Sequence, residues 1–551
     1  MADQESNHPT AFEMASRQRD ISVSEFFLKN RHLLGFDSPS KAIVTTVREA
    51  VDNALDACEE AGVLPEIRVE VAYDGEYYHV TVEDNGPGIV ESQVARIFGK
   101  LLYGSRFHKL SQSRGQQGMG ISAAGMYAQL TTGKPMHILT RVAGEPKAVE
   151  LLVSIDTGRN RPDIHRKKHV SWDRPHGTRV EVELEGRYQT GSHSVETYLK
   201  QTAIANPHVT LEYSGPHGET LRFERCVGEL PRQPSEIRPH PDGVELGRLI
   251  QMLSDTKSRT LLGFLENEFS RVGRKTAKQI IDKAGAALSE RSYPRRIAHA
   301  QATRLHRAIG RTRISAPPTD CIVPIGEARL LEGLRKELDA DFYTAITRPA
   351  AVYRGNPFQV EVGIAYGRPG GLGLEEDETG HIRKTIRPAA SGDDALVARA
   401  DEPARLLRYA NRVPLLYQQP ACAIARAASQ INWRGYGLQQ PKGGLPVAPM
   451  AILVHVASVW VPFTSESKEA IAAYPEIVKE IRLGLQACGR RLASHLRRGK
   501  RLKKEYDRRS HIEKYLPHIG IALQEILEFS DAERQRTVEA LDAVLQQERR
   551  H

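Results

Sequence analysis

The sequence has few cysteines and no long apolar run, and both scarcities narrow its class. Five cysteines in 551 residues (Cys58, Cys226, Cys321, Cys422, Cys488) stand far apart, which excludes a disulfide framework and the usual zinc spacings. No apolar run approaches the ~20 residues that a bilayer demands. The longest candidate, residues 447–461, is broken by Pro449, His455 and Ser458 and reads as a buried strand. Residues 1–20 are polar with mixed charge, unlike a signal peptide, and no internal repeat or low-complexity segment is present. These absences lead to the expectation of a cytoplasmic, nucleoid-associated protein. What is present is ordinary for globular chains: 40% hydrophobic and 26% charged residues. The length implies three or four domains, because single cores rarely grow past ~250–300 residues.

Residues 41–121 carry the densest chemistry. Residues 47–57 (VREAVDNALDA) read as a helix, with Ala, Val and Leu at helical spacing and no Gly or Pro. Glu49 and Asn53 stand four apart on one face, and Asp52 and Asp56 form a second pair at the same spacing. Residues 67–71 and 79–83 alternate like half-buried strands. The second runs into Asp84-Asn85-Gly86-Pro87-Gly88-Ile89, a turn of residues that tolerate unusual backbone angles. Residues 113–121 (SRGQQGMGI) form a glycine-rich loop feeding a small-residue helix. Such a loop exposes backbone N–H groups to polyphosphate at a helix start. A carboxylate on the first helix can deprotonate a water, and an amide four residues on can hold Mg²⁺. An Asp at a glycine turn can accept a hydrogen bond from adenine's amine. Each piece alone is ordinary; the three in this order point to ATP hydrolysis.

Residues 1–20 read as a flexible arm, followed by a helix over 21–30. The first domain, residues 21–232, mixes strands and helices as a two-layer α/β sandwich does, with a helix over 195–205 and a last strand near 209–213. The proline-rich stretch 232–241 is a linker. Residues 240–313 repeat Leu, Ile, Ala and Phe at helical spacing and form a small all-α domain. Fifteen Lys/Arg face seven Asp/Glu over residues 241–313. Arg271, Gly273, Arg274 and Lys275 fall at a junction between helices, resembling helix–two-turns–helix modules that face a DNA phosphate. Residues 317–510 return to α/β, with strands over 358–367 and 451–461, a loop over 368–380, and a long helix over 476–509 entered through Pro475. That helix turns strongly basic, with ten Lys/Arg against two Asp/Glu over 490–509. Residues 511–551 add a helical tail. The net charge of +9 favours a polyanionic partner.

Glu49-x-x-x-Asn53, Asp84-x-Gly86-x-Gly88 and Gly115-x-x-Gly118-x-Gly120 resemble the three nucleotide-binding boxes of the GHKL ATPases, and His176-Gly177-Thr178 resembles a fourth. Residues 26–37, 353–358, 411–417 and 433–436 are similar to the B-subunit family of DNA topoisomerase VI, a likeness spanning residues 23–530. The resemblance implies a GHKL ATPase domain, a helix–two-turns–helix insert and a transducer domain with a long C-terminal helix. It implies ATP and Mg²⁺, with Glu49 as general base and Asn53 as the Mg²⁺ ligand. Asp84, Gly88 and Thr178 would surround adenine, Ser105 and Arg106 would belong to a lid, and Arg114, Gly115, Gln116, Gln117, Gly118, Met119, Gly120 and Ile121 would wrap the phosphates. Lys468 would reach the γ-phosphate from the transducer. Trp433, Arg434 and Tyr436, a departure from the family's Trp-Lys-x-Tyr, would join Arg271, Arg274 and Lys275 on double-stranded DNA. The implied partners are a second copy, joined through the ATPase domain, and the DNA-cleaving topoisomerase VI A subunit, in an A2B2 heterotetramer. The chain ends without the extra C-terminal β-sandwich of some relatives. The rival expectation is a GHKL protein acting as a switch or chaperone indifferent to DNA.

Overall fold

The computed structural model describes residues 11–18, 20–104, 109–115, 118–367, 372–376, 382–386, 396–465 and 467–547. The first unit opens with α1 (Ala11–Ser16) and α2 (Val23–Lys29), so part of the expected arm is helical; residues 1–10 and 19 lie outside the described residues. Next comes α3 (Pro39–Glu60). Its start follows from Ser38 in an extended conformation and Pro39 in the first turn, and Gly62, at φ +74°, lets the chain leave it. Ala42, Ile43, Val47, Val51 and Leu55 are buried along one stripe of α3.

The remaining elements of this unit are β1 (Glu66–Tyr73), β2 (Tyr78–Asp84), α4 (Glu91–Gly99), α5 (Gly120–Thr132), β3 (Met136–Arg141), β4 (Ala148–Asp156), β5 (Arg161–Val170), β6 (Gly177–Leu184), α6 (Val195–Ala205), β7 (Thr210–Ser214) and β8 (Thr220–Phe223). The strands form one sheet in the order β5-β4-β3-β6-β2-β1-β7-β8. In β1, Ile67, Val69 and Val71 are buried while Glu66, Arg68 and Glu70 are exposed. One face is therefore apolar, and α3, α4 and α5 cover it, giving two layers. Because β2 and β6 pair Asp84 with Thr178, two of the sequence boxes become neighbours in the sheet.

Four helices follow: α7 (Leu246–Asp255), α8 (Leu261–Glu268), α9 (Arg274–Ala284) and α10 (His299–Gly310). They close around their own core of Leu249, Phe264, Leu265, Ile280 and Leu305.

The last unit contains α11 (Glu327–Glu337), β9 (Phe342–Thr347), β10 (Ala351–Tyr353), β11 (Asn356–Tyr366), β12 (Leu372–Glu376), β13 (Ile382–Ile386), β14 (Arg405–Ala410), β15 (Val413–Pro414), α12 (Ala423–Ser429), β16 (Met450–Ser458), α13 (Pro475–Leu527) and α14 (Asp531–Gln547). Every residue of β16 is buried, because its sheet is covered on both faces. On one side lie α12 and the first part of α13; on the other lies α11, joined by Ile204 and Ala205 of α6. The two α/β units thus share a core.

Two expectations change. The stretch 368–380, read as a loop, contains β12, which pairs with β13; its other residues lie outside the described ones. The long helix does not stop at Arg509 but runs 53 residues to Leu527, through Pro517. Among the described residues no helix is long and apolar enough to cross a membrane.

Candidate functional site

A cavity of about 560 Å³ opens between α3, the Asp84–Ile89 turn, the start of α5 and the loop bearing Lys468. That size suits a nucleotide. Glu49 and Asn53 project into it from α3, one turn apart. The Glu49 carboxylate is an ion-pair partner of Arg48 (Oε1 to Nη2, 2.8 Å). It also lies against the first residue of α5, where a Cβ on Gly120 would overlap Oε2. Glycine there allows a carboxylate to sit against the helix N-terminus, whose partial positive charge favours the ionised form.

At the far wall, Asp84 Oδ1 accepts the N–H groups of Gly86 (2.8 Å) and Thr178 (3.2 Å). Burial pushes this carboxyl up to about 6, against the pull of those two bonds. Thr178 is held in turn by Thr140 (Oγ1 to Oγ1, 3.1 Å), which also accepts the N–H of Ile89 at 2.9 Å. Gly88 has φ +75°, and any side chain would strike the Arg141 carbonyl. Its close approach is therefore to β3, besides lining the cavity. Gly115, Gly118, Met119, Gly120 and Ile121 line the side toward α5. Ser105, Arg106, Gln116 and Gln117 lie outside the described residues.

Arg114 is a correction. Its side chain does not face the cavity but turns inward, bonding Asp56 (2.8 Å), Glu59 (2.7 and 2.9 Å) and Asn206. Burial acts against the Glu59 charge, yet Arg114 and His208 hold that carboxyl well below the usual range. A guanidinium so committed shapes the loop from behind; only its backbone remains available to phosphate.

Lys468 arrives from the transducer half, 354 positions beyond its partner: its Nζ donates to the Arg114 carbonyl at 3.3 Å, and the side chain lines the cavity. Its backbone has φ +54°, uncommon for a non-glycine residue. Three neighbours had no role assigned from the sequence. Asp52, one helical turn from Glu49, is buried, with Tyr198 Oη donating to it at 3.4 Å. Burial, and then the Glu49 charge, pushes its carboxyl up to about 7. Arg48 pairs with the candidate base, and Asn411 reaches the glycine-rich segment from the end of β14. For Asp52 the only signal was its spacing from Glu49; for Asn411 there was none.

Of the DNA candidates, Arg271, Arg274 and Lys275 are exposed around the start of α9, and Arg271 has φ +60°. Arg434 is exposed, its guanidinium donating to the Gln440 carbonyl at 2.7 and 3.0 Å. Tyr436 is half-buried against Gly489. Trp433 is a second correction: it is 0% exposed, with Nε1 donating to the Ala428 carbonyl, so it is a core residue and no DNA contact. No group of three or more His, Cys, Asp or Glu that could hold a metal occurs among the described residues. An amide such as Asn53, with phosphate oxygens and water completing the shell, still suits Mg²⁺, which keeps most of its ligands outside the protein.

Residues 39–188 match the family model of histidine kinase-, DNA gyrase B- and HSP90-like ATPases, and residues 317–508 match that of the topoisomerase VI B subunit transducer. The B subunit of type 2 DNA topoisomerase 6 from Archaeoglobus fulgidus is 45% identical over 97% of this chain and 84% of its own length. Its counterpart from Methanococcoides burtonii is 46% identical over 94% and 79%. The chain belongs to this topoisomerase VI B-subunit family. The ATPase region of Saccharomyces cerevisiae topoisomerase II aligns with 87% of this chain and 100% of that one, at 11% identity and a TM-score of 0.40. Both family segments contribute to the cavity: Glu49 to Thr178 come from the first and Lys468 from the second.

Proposed function

We propose that this chain is the ATP-hydrolysing B subunit of a type IIB DNA topoisomerase, and that its nucleotide cavity is the switch that drives strand passage. The observation carrying this reading is that one cavity is lined by Glu49, Asn53, Asp84, Thr178 and, from the transducer unit, Lys468. The names of its relatives imply a partnering A subunit, with two ATPase domains joined.

Adenine would bind at Asp84, whose Oδ1 is taken by backbone N–H groups and whose second oxygen remains for the exocyclic amine. Glu49 orients a water and takes its proton as the water attacks the γ-phosphate. Arg48 and the start of α5 keep that carboxylate ionised and in place. Asn53 would hold Mg²⁺, which neutralises charge on the phosphates when bound. Lys468 would meet the γ-phosphate only while it is present, so nucleotide state would bias the angle between the two units. Arg271, Arg274, Lys275 and Arg434 would neutralise DNA phosphates. The cleavage step would belong to the A subunit, in an A2B2 assembly.

Reconstitution tests this. Mixed with a family A subunit, the chain should relax supercoiled DNA and decatenate circles only when ATP is supplied, and DNA should stimulate its ATPase. An ATPase indifferent to DNA, with no strand passage in the mixture, would favour a DNA-independent switch.

A further inference from the structure

Two consecutive carbonyls at the root of the glycine-rich loop accept hydrogen bonds from the transducer unit. Arg114 O accepts from Lys468 Nζ at 3.3 Å, and Ser113 O accepts from Asn411 Nδ2 at 3.0 Å. The two donors differ in kind. Lys468 has a long, flexible side chain inside the cavity, and a phosphate oxygen would outcompete a carbonyl for its ammonium. Asn411 has no such freedom. Its Oδ1 accepts the Ser458 N–H at 2.9 Å, and Nδ2 also donates to the Ser458 carbonyl at 3.0 Å. These three backbone partners fix which end of the amide is oxygen.

The backbone beneath Asn411 is equally constrained. Asn411 and Arg412 form the two-residue turn between β14 and β15, with φ +48° and +69°. Positive φ at both positions marks the hairpin turn that glycine favours at the second place, where this chain has arginine. The turn is held from three sides. The Arg412 N–H donates to His455 Nε2 (2.9 Å), its guanidinium donates to the Pro324 carbonyl (3.1 Å), and its carbonyl accepts from Asn206 Nδ2 (3.4 Å). Strained backbone held in place by its surroundings is typical of sites where geometry matters. On the loop side, Gln112 is tied to Val323 by its side-chain N–H (3.1 Å) and by accepting the Val323 N–H (2.6 Å).

We propose that Asn411 is the fixed pivot between the transducer and the nucleotide loop: Lys468 exchanges the Arg114 carbonyl for phosphate while Asn411 keeps its grip on Ser113. Asn411 is a positioning residue, and the proposal rests on the ATP-switch reading above. Without the pivot, motion of Lys468 would not turn the two units about a defined point.

Asn411→Gly tests it, because glycine keeps the positive-φ turn and deletes only the amide. Asn411→Asp, of the same size, replaces the donor with an acceptor facing the Ser113 carbonyl and checks the same point if the glycine variant does not purify. Spin labels on the ATPase and transducer units report their distance with ADP and with a non-hydrolysable ATP analogue. Expected are a single wild-type distance change on analogue binding, its loss or broadening in either variant, and ADP affinity near wild type. The preference for analogue over ADP should fall by about tenfold, within the usual range of coupling. An unchanged distance shift and preference in either variant would overturn the pivot. A wild-type protein with no ATP hydrolysis and no nucleotide-dependent distance change would instead defeat the underlying reading.

Discussion

Glu49 and Asp84 do opposite work in the same cavity, and substitutions should separate them. Glu49 acts in the transition state and little in the ground state, so Glu49→Ala should keep nucleotide affinity and lower turnover by ~10²–10⁴-fold. Rapid-quench hydrolysis beside equilibrium binding measures both; wild-type turnover in the variant would remove Glu49 as base. Asp84 binds, and its burial has a cost. Its carboxyl lies at about 6 in the fold against 3.8 when exposed, so folding favours its protonated form. Stability from this group is full below about 4 and is lost as pH rises through about 6, a loss on the order of 3 kcal/mol at neutral pH. Asp84→Asn should therefore raise the melting temperature of the unliganded protein at pH 8 while weakening adenine nucleotides. Wild-type affinity should fall as pH drops through about 6, and the variant should be flat there. A variant that melts lower and binds ATP normally would contradict this placement. These roles could be read from the sequence because each lies in a short local motif. The inward turn of Arg114 could not, since Asp56, Glu59 and Asn206 lie 55 to 92 positions away.

At the scale of elements, the helical unit carries its charge where a polyanion could reach it. Arg271, Arg274 and Lys275 are exposed about the start of α9, while Ala277, Ile280 and Ile281 of the same helix are buried. Charge reversal at all three should weaken DNA binding and DNA-stimulated ATPase while basal ATPase stays near wild type. Each lost phosphate contact should lower the slope of log affinity against log salt by ~0.9 on duplex DNA. An unaltered slope would make the cluster a solvated surface. Helix periodicity made these four helices legible, and period-two alternation did the same for β1 and β2. Resemblance gave Trp433 a position in the chain but could not give its burial in the core between α12 and α13. Pro517 misled in the other direction. Proline usually ends a helix, yet α13 continues through it and α14 packs alongside.

The whole molecule joins its ATPase and transducer units by a shared core and by polar contacts around one loop. Ile204 and Ala205 of α6 pack into the second sheet's core with Leu330, Leu334 and Leu453. Tyr409 Oη donates to the Gln201 carbonyl at 3.1 Å, and Lys41 of α3 pairs with Glu469, next to Lys468, at 3.3 Å. None of these pairs could be read from spacing, because each joins positions over a hundred residues apart. The account's central claim is that Lys468 makes nucleotide state mechanical. A contact with the γ-phosphate exists only in the ATP state and supplies the differential interaction that a ligand-driven rotation requires. The most direct measurement pairs the affinities of Lys468→Ala for ADP and for a non-hydrolysable ATP analogue with the interdomain angle from solution scattering in each state. The account predicts ADP affinity close to wild type, weakened analogue binding, slower hydrolysis and loss of the analogue-driven rotation. Equal weakening of both nucleotides, or a rotation that survives the substitution, would contradict it.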